Sequence, residues 1–214
     1  MKQKKGKLIF SSKNLGLEYS SEVPILRNIN IEMRFGEKVV LLGRNGSGKT
    51  SFVNVITQKL APTEGEMRIG NDIKMGSIDQ LKSLDTSMNP LEHLREHGYE
   101  EEQARRILSH CLFTQAEATT AIKILSGGQQ QRFKFLLLFK QNPEFIIFDE
   151  PTNNLDPSNW ELLLNLVNEY SGSLLIISHD RSFVEQLEEK KIWVLKNQTL
   201  TESWDDLDQI LKNL

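Results

Sequence analysis

Residues 38–60 read KVVLLGRNGSGKTSFVNVITQKL, and this stretch gives the strongest indication of the fold. Its opening, KVVLL, is a short apolar run that is typical of a strand buried on both faces. Its end, SFVNVITQKL, predicts a helix. The eight residues between them match the pattern G-x-x-x-x-G-K-[ST], which requires a strand before it and a helix after it. A strand, a glycine loop and a helix in this order predict a phosphate-binding loop.

The residue types of this loop suit the phosphates of a nucleotide. Glycines let successive backbone N–H groups point inward, and the helix N-terminus adds partial positive charge. We expect Lys49 to reach the β- and γ-phosphates and the Thr50 hydroxyl to bind Mg²⁺. The predicted nucleotide contacts in this loop are Gly43, Arg44, Asn45, Gly46, Ser47, Gly48, Lys49, Thr50 and Ser51.

Two adjacent carboxylates follow a second apolar strand, FIIFDE at residues 145–150. Acids after a strand are usually solvated, but ligands of open α/β sheets gather beyond the carboxyl ends of strands. The phosphate loop also follows a strand. We therefore predict that Asp149 holds Mg²⁺, directly or through water, and that Glu150 polarises the attacking water.

Three further side chains are candidates for the same site. His179 follows the apolar run LLIIS and is expected to contact the γ-phosphate and the water, with a packing or capping role as the alternative. Gln80 is expected to complete the Mg²⁺ shell. Tyr19 is expected to stack on the base, with a half-buried strand aromatic as the alternative. His93 and His97 have a metal-ligand spacing, but no third ligand is evident, so we predict no metal there.

Composition excludes several classes of protein. The 214 residues carry a formal net charge of −3, which argues against a globally basic nucleic-acid binder, and we expect no direct DNA binding. No apolar window of about 18 residues is present, so we predict no membrane span. Cys111 is the single cysteine, which excludes an intrachain disulfide and suits the reducing cytoplasm.

The order of the patterns predicts the fold class. Strands alternate with helices, which implies a mainly parallel sheet. Residues 8–42 favour antiparallel strands, and residues 81–141 are helical in pattern. We therefore predict an α/β protein with a P-loop NTPase core (1–80 and 142–214), an N-terminal antiparallel β subdomain and a short helical subdomain (81–141), all in one domain over residues 1–214.

A second glycine loop, LSGGQQQR at residues 125–132, precedes a predicted helix. Two adjacent glycines allow close approach of a ligand, and a free helix N-terminus is an anion site. Since another loop already suits a phosphate tail, this second loop raises the question of whose ligand it binds.

These motifs, in this order, resemble the nucleotide-binding domain of the ATP-binding cassette (ABC) family over nearly the whole chain. Tyr19 matches the aromatic A-loop residue, GRNGSGKT the Walker A, Gln80 the Q-loop, LSGGQQQR the signature, FIIFDE the Walker B, TNNLD the D-loop and SHD the H-loop.

The resemblance implies an ATPase whose active site is completed by a second cassette. In this family two cassettes pack head to tail, and each signature loop covers the ATP of its partner. Hydrolysis to ADP and phosphate removes the γ-phosphate and weakens the dimer, which acts as a switch. The residues implied to act toward the partner are Ser126, Gly127, Gly128 and Gln129 of the signature and Asn154, Leu155 and Asp156 of the D-loop.

Details of the motifs resemble the F subfamily, soluble tandem-cassette ATPases that act on the ribosome in translation or antibiotic resistance. Only 77 positions separate Lys49 from Ser126, which indicates a short helical subdomain. FDEPTNNLD is similar to the subfamily's DEPTNHLD, with Asn154 where histidine is usual, and Gln129 stands where glutamate is frequent. The chain carries one cassette, so it is either half of a tandem protein or a partner for its own copies.

Three hypotheses follow for the chain as a whole. The first is a soluble F-like ATPase module. The second is the ATPase subunit of a membrane transporter, and the third is a dimerisation module that binds nucleotide without hydrolysing it. The presence of Lys49, Gln80, Asp149, Glu150 and His179 together argues against the third.

Overall fold

The computed structural model describes residues 6–19, 24–78, 84–153 and 155–214, which form two compact units. The first unit takes its residues from Met1–Met75, Pro143–Asn153 and Tyr170–Leu214. The second takes its residues from Gly76–Asn142 and Asn154–Glu169. The second unit thus combines the helical segment with the helix that follows the Walker B strand.

The strands of the described residues are β1 (Leu8–Glu18), β2 (Pro24–Ile29), β3 (Glu32–Arg34), β4 (Lys38–Leu42), β5 (Glu64–Ile69), β6 (Met75–Gly76), β7 (Phe145–Asp149), β8 (Ser173–Ile177), β9 (Lys190–Lys196) and β10 (Thr199–Ser203). The helices are α1 (Lys49–Ile56), α2 (Pro90–Glu96), α3 (Glu101–His110), α4 (Gln115–Ala118), α5 (Gly127–Lys140), α6 (Pro157–Glu169), α7 (Arg181–Gln186) and α8 (Leu207–Asn213), with a 3-10 turn at Ile122–Ile124.

A six-stranded sheet in the order β10-β9-β4-β8-β7-β6 is mainly parallel. Strands β9, β4, β8 and β7 pair in parallel, and β10 pairs antiparallel with β9. Every residue of β4 and β8 is buried, as their apolar runs predict. Strand β10 was not predicted; the two residues between it and β9, Asn197 and Gln198, both have positive φ, as a tight hairpin turn requires.

The antiparallel sheet is built around β1, which pairs with β2, β3 and β5. Strands β2 and β3 follow each other closely in the chain but are separate strands. Ser12 of β1 bonds to the chain on both sides of the break between them. Its hydroxyl donates to the Ile29 carbonyl (3.0 Å) and accepts from the Ile31 N–H (3.2 Å). With both sheets present, the predicted fold class is confirmed.

An aromatic cluster at the centre of the first unit positions α1. The ring of Phe10 on β1 lies 6.4 Å from Phe52 of α1, 5.8 Å from Phe145 and 6.0 Å from Trp193, measured between centroids. All four side chains are fully or almost fully buried. Burying rings of this size is a large favourable contribution to folding, and it ties the helix after the phosphate loop to both sheets.

The second unit is helical, and α2, α4 and α5 begin with side-chain caps. Asn89 caps α2 in a capping box with Glu92, and Pro90 takes a position in the first turn, where proline is favoured. Thr114 and Glu117 form the same arrangement at α4. Among the helices of the described residues, none is long and apolar enough to cross a membrane.

Candidate active site

Three adjacent parallel strands end at the same edge of the six-stranded sheet. In the strand register, Leu41 of β4 and Asp149 of β7 both lie opposite Ile177 of β8. The loops that follow these strands therefore start side by side. They carry the phosphate loop, Glu150 and His179, so the sheet brings the three predicted motifs together.

Two glycines of the phosphate loop occupy positions where a side chain does not fit. Gly48, the residue that caps α1, has φ +106°, and a Cβ there would lie 2.9 Å from the side chain of Ile25. A Cβ on Gly43 would lie 2.6 Å from the carbonyl oxygen of Leu195. The loop thus needs glycine at both positions in order to wrap around the start of the helix.

Lys49 is buried at the start of α1, and its ammonium lies inside the loop. The Nζ atom donates to the carbonyl oxygens of Gly43 (2.6 Å) and Arg44 (3.0 Å). Burial lowers the pKa of Lys49, and the nearby charges of Glu150 and Asp149 oppose this shift. A positive charge is therefore held at the point where the loop would receive a phosphate.

A cavity of about 360 Å³ lies beside the loop, wholly within the first unit. Its lining residues are Ile25, Asn45, Gly46, Gly48, Lys49, Thr50, Ser51, Asp149, Glu150, Ile177 and His179. Two of them, Ile25 and Ile177, were not predicted. Each lies in a strand beside the loop, and an isoleucine in a strand gives no local signal of a binding role.

Glu150 is held in an unusual backbone conformation beside His179. Its φ is +48°, a left-handed value that is uncommon outside glycine. Its N–H donates to the Ile177 carbonyl at 2.8 Å. One carboxylate oxygen accepts from the His179 backbone N–H at 3.2 Å, and the other lies 3.3 Å from His179 Nε2. The turn thus directs the carboxylate of Glu150 toward His179.

The candidate Mg²⁺ ligands that the structure describes are Thr50 and Asp149, both exposed and both at the cavity. Gln80 lies outside the described residues. Across the described ranges, no group of three or more His, Cys, Asp or Glu side chains could hold a metal. One hydroxyl and one carboxylate suit Mg²⁺, which usually takes one or two protein oxygens and completes its shell with water and phosphate oxygens.

Tyr19 follows the last residue of β1 and is 45% exposed, so it is not a packed strand residue. Its hydroxyl lies 3.3 Å from the Ser51 hydroxyl, which belongs to α1. Tyr19 is therefore placed next to α1, the helix that follows the phosphate loop, and almost half of the residue is exposed.

The signature residues form the start of α5 in the second unit. Ser126 caps this helix: its hydroxyl accepts from the Gln129 N–H (3.2 Å), and the Ser126 N–H donates to the Gln129 side chain (2.7 Å). Gln129 also donates to the carboxylate of Glu117, a bond that a glutamate at this position could not make at neutral pH. Ser126 and Gly127 are exposed, which leaves the helix start accessible.

The described part of the D-loop lies beside the signature in the same unit. Asp156 accepts from the N–H of Asn159 at 2.8 Å and so caps α6. Leu155 is half-buried, and Asn154 lies outside the described residues.

His93 and His97 stack on each other in α2. Their rings are nearly parallel, with centroids 4.5 Å apart, and His97 Nδ1 lies 2.7 Å from the His93 carbonyl oxygen. His93 is buried, and its ring meets Phe133 edge to face. The pair is part of the packing of the helical unit.

Comparison with known proteins assigns the family. The family model described as ABC transporter matches residues 26–153, more than half of the chain. The chain belongs to the ABC family. The resemblance read from the motifs is therefore confirmed, and the family is one of ATP-hydrolysing cassettes.

The relatives of this ABC cassette include members of subfamily F. ATP-binding cassette sub-family F member 2 of Mus musculus is 32% identical over 88% of the chain. ATP-binding protein Uup of Haemophilus influenzae is 31% identical over 84% of the chain. The chain spans only 31% and 29% of the length of these two proteins. The predicted likeness to subfamily F is confirmed, at the level of one cassette.

Solved structures of a related cassette are dimers. The dimer of MJ0796, described as a bacterial ABC transporter cassette, has a TM-score of 0.66 and 27% identity, over 91% of this chain and 97% of the other. The same cassette is known as a dimer in a post-hydrolysis state with ADP and Pi, with 26% identity and a TM-score of 0.63.

Proposed function

We propose that this chain binds ATP with Mg²⁺ and hydrolyses it in a site that a second cassette completes. The observation that carries the proposal is that Lys49, Thr50, Asp149, Glu150 and His179 line one and the same cavity. A phosphate loop, two carboxylates and an imidazole at one sheet edge are the groups that phosphoryl transfer to water needs.

ATP is bound by the phosphate loop and by residues next to it. The loop N–H groups and the Lys49 ammonium hold the β- and γ-phosphates, and Tyr19 stacks on the base. Thr50 and Asp149 hold Mg²⁺, together with Gln80. When bound, the ion neutralises charge on the phosphate oxygens.

Glu150 and His179 promote the hydrolysis of ATP. The water oxygen attacks the γ-phosphorus while the bond from that phosphorus to the β–γ bridging oxygen breaks, which releases ADP and phosphate. Glu150 accepts a hydrogen bond from the water and polarises it. His179 keeps the carboxylate in place, as its two contacts with Glu150 indicate, and approaches the γ-phosphate.

The signature loop is proposed to act on the ATP of another cassette. The residues lining the cavity belong to the first unit, whereas Ser126, Gly127 and Gly128 belong to the second. The start of α5 is exposed at Ser126 and Gly127, and the partial positive charge of a helix N-terminus suits a phosphate group. The MJ0796 dimers support this arrangement, since they are cassettes of similar fold that pair.

We further propose that the chain is one module of an F-type protein that acts on the ribosome from the cytoplasm. The support is the match to subfamily F over one cassette's length. The lone Cys111 suits a reducing compartment. Co-sedimentation of the Glu150→Gln variant with ribosomes, in ATP but not ADP, is the expected result; equal amounts in both would contradict it.

A transporter subunit is the second candidate, because MJ0796 is described as a transporter cassette. A stable complex with a membrane-embedded subunit, purified from detergent extracts, would favour that role over the ribosomal one.

The test of hydrolysis is phosphate release by the wild type, Glu150→Gln and Glu161→Gln. Glu161→Gln is the control, because it makes the same chemical change at an exposed position of α6. Glu150→Gln should lower the rate by about a hundredfold or more, since it removes the group that polarises water. ATP affinity should stay within about twofold of the wild type. A Glu150→Gln rate equal to that of Glu161→Gln would contradict the proposal.

A further inference from the structure

A buried polar network in the second unit joins the signature helix to the D-loop. Asn159 on α6 has no exposed surface. Its Nδ2 atom donates to the Gly128 carbonyl (3.0 Å) and to a carboxylate oxygen of Asp156 (2.9 Å), and its Oδ1 atom accepts from Arg132 Nε (3.0 Å). Both hydrogens of the amide and its oxygen are thus used, so this buried group is fully satisfied.

The packing around the signature glycine is equally tight. A Cβ on Gly128 would lie 2.8 Å from Asn159 Nδ2 and 2.8 Å from the Asp156 carboxylate. Gly128 therefore rests directly on the side chains of Asn159 and Asp156. The signature glycine and the D-loop aspartate are held against each other by one asparagine.

Arg132 fixes the orientation of the Asn159 amide. Its guanidinium also donates to the Leu112 carbonyl (2.6 Å) and lies 5.4 Å from the ring centroid of Phe113. A guanidinium can only donate, so it faces the amide oxygen and directs the NH₂ group toward Gly128 and Asp156. The last residue of LSGGQQQR thereby becomes part of the same network.

We propose that Asn159 is a positioning residue that makes the signature loop and the D-loop one rigid element. The ATP of a second cassette then meets both loops already ordered. This inference rests on the proposed function, and Asn159 lies outside the Walker A, Walker B, signature, D-loop and H-loop motifs. Asn159 is buried, so it acts through Gly128 and Asp156 rather than on the nucleotide.

The expected effect is on dimer assembly. Without the Asn159 amide, the Gly128 carbonyl, the Asp156 carboxylate and the Arg132 guanidinium each lose a partner. The two loops would then have to be ordered when the second cassette binds, and ordering at that moment weakens association. The Walker A site lies in the other unit, so its own affinity for ATP should not change.

The experiment measures the ATP concentration that gives half-maximal dimer, by light scattering, in the Glu150→Gln background. Asn159→Ala is compared with Asn165→Ala, the same change at an exposed position of α6. We expect Asn159→Ala to raise this concentration by about tenfold and Asn165→Ala by less than about twofold. In a Ser126→Arg background, where dimers should not form, both variants should bind ATP equally. If Asn159→Ala and Asn165→Ala reach half-maximal dimer at the same ATP concentration in the Glu150→Gln background, the inference is overturned.

A second measurement keeps the inference testable if dimers do not form. Amide hydrogen exchange of the monomer should speed up over residues 126–132 and 155–160 in Asn159→Ala, but not in Asn165→Ala. Asn159→Ser, which is too short to span Gly128 and Asp156, should act similarly if the alanine variant does not fold. Absence of dimers in the Glu150→Gln parent counts against the pairing of this chain with itself; unchanged exchange in the Asn159 variants counts against the positioning role.

Discussion

Both oxygens of the Glu150 carboxylate are in contact with His179. One accepts from the His179 backbone N–H at 3.2 Å, and the other lies 3.3 Å from the Nε2 atom of the ring. The left-handed backbone at Glu150 makes this geometry possible, because it turns the chain back toward β8 directly after Asp149. The proposed base and the imidazole therefore form one pair at the cavity.

Removal of the imidazole should impair hydrolysis more than binding. We expect His179→Ala to lower the rate of phosphate release by about a hundredfold, since Glu150 loses its side-chain partner and the γ-phosphate loses a contact. ATP affinity, measured by calorimetry, should change by less than about threefold. His110→Ala, at an exposed histidine of α3, is the control. A His179→Ala variant that hydrolyses ATP at the control rate would refute the role of the pair.

Removal of the buried ammonium should abolish tight ATP binding. Lys49→Ala deletes the charge that the Gly43 and Arg44 carbonyls hold inside the loop. We expect the Kd for MgATP to rise by more than about tenfold. Lys59→Ala, an exposed lysine just beyond α1, should bind like the wild type. Tight binding by Lys49→Ala would be incompatible with the assigned phosphate site.

The ring of Tyr19 should matter more than its hydroxyl. If the ring stacks on the base, Tyr19→Phe keeps ATP affinity and Tyr19→Ala weakens it by about three- to tenfold. If Tyr19 instead contributes to ATP affinity through the 3.3 Å contact between its hydroxyl and that of Ser51, both variants weaken ATP binding equally. Titration with a fluorescent ATP analogue separates the two outcomes.

The burial of His93 should make the stability of the protein depend on pH. Burial lowers the pKa of His93 and the charge of His97 acts in the same direction, while Glu96 and Asp85 oppose the shift. As the pH falls, the unfolded chain therefore takes up a proton on His93 at a higher pH than the folded protein does. The stabilisation is complete above about pH 6.5 and is lost as pH falls through the lowered pKa.

We therefore expect the Tm of the wild type to fall between about pH 7.5 and about pH 5.5, and to fall less in His93→Gln. Differential scanning calorimetry at the two pH values measures this. His110→Gln, at an exposed position, should fall as much as the wild type. An equal fall in all three proteins would show that the proton uptake of His93 does not contribute.

Patterns that are local in sequence predicted the parts of the fold that depend on local chemistry. The all-apolar runs of β4 and β8, the glycine loop and Pro90 at the start of α2 each carry their reason in adjacent residues. Because parallel strands end at one edge, those runs were also sufficient to place the phosphate loop, Glu150 and His179 together.

Features that depend on contacts between distant residues could not be predicted. Ser12 of β1 bonds to the chain on both sides of the break between β2 and β3, and the N–H of the left-handed Glu150 bonds to Ile177 of β8. Asn159 looks like an ordinary helix residue, and only the folded second unit shows that it touches Gly128 and Asp156. Ile25 and Ile177 became cavity residues for the same reason.

The most direct test of the composite site is the mass of the Glu150→Gln variant in solution, measured by light scattering with and without MgATP. We expect a monomer without nucleotide and a dimer with it, and a monomer in both conditions once Ser126→Arg is added. A Glu150→Gln protein that binds MgATP and stays monomeric would contradict a composite site built from two copies of this chain. The signature loop of this chain would then act on the ATP of a different cassette. Dimers that persist in the Ser126→Arg variant would contradict the role of the signature loop itself.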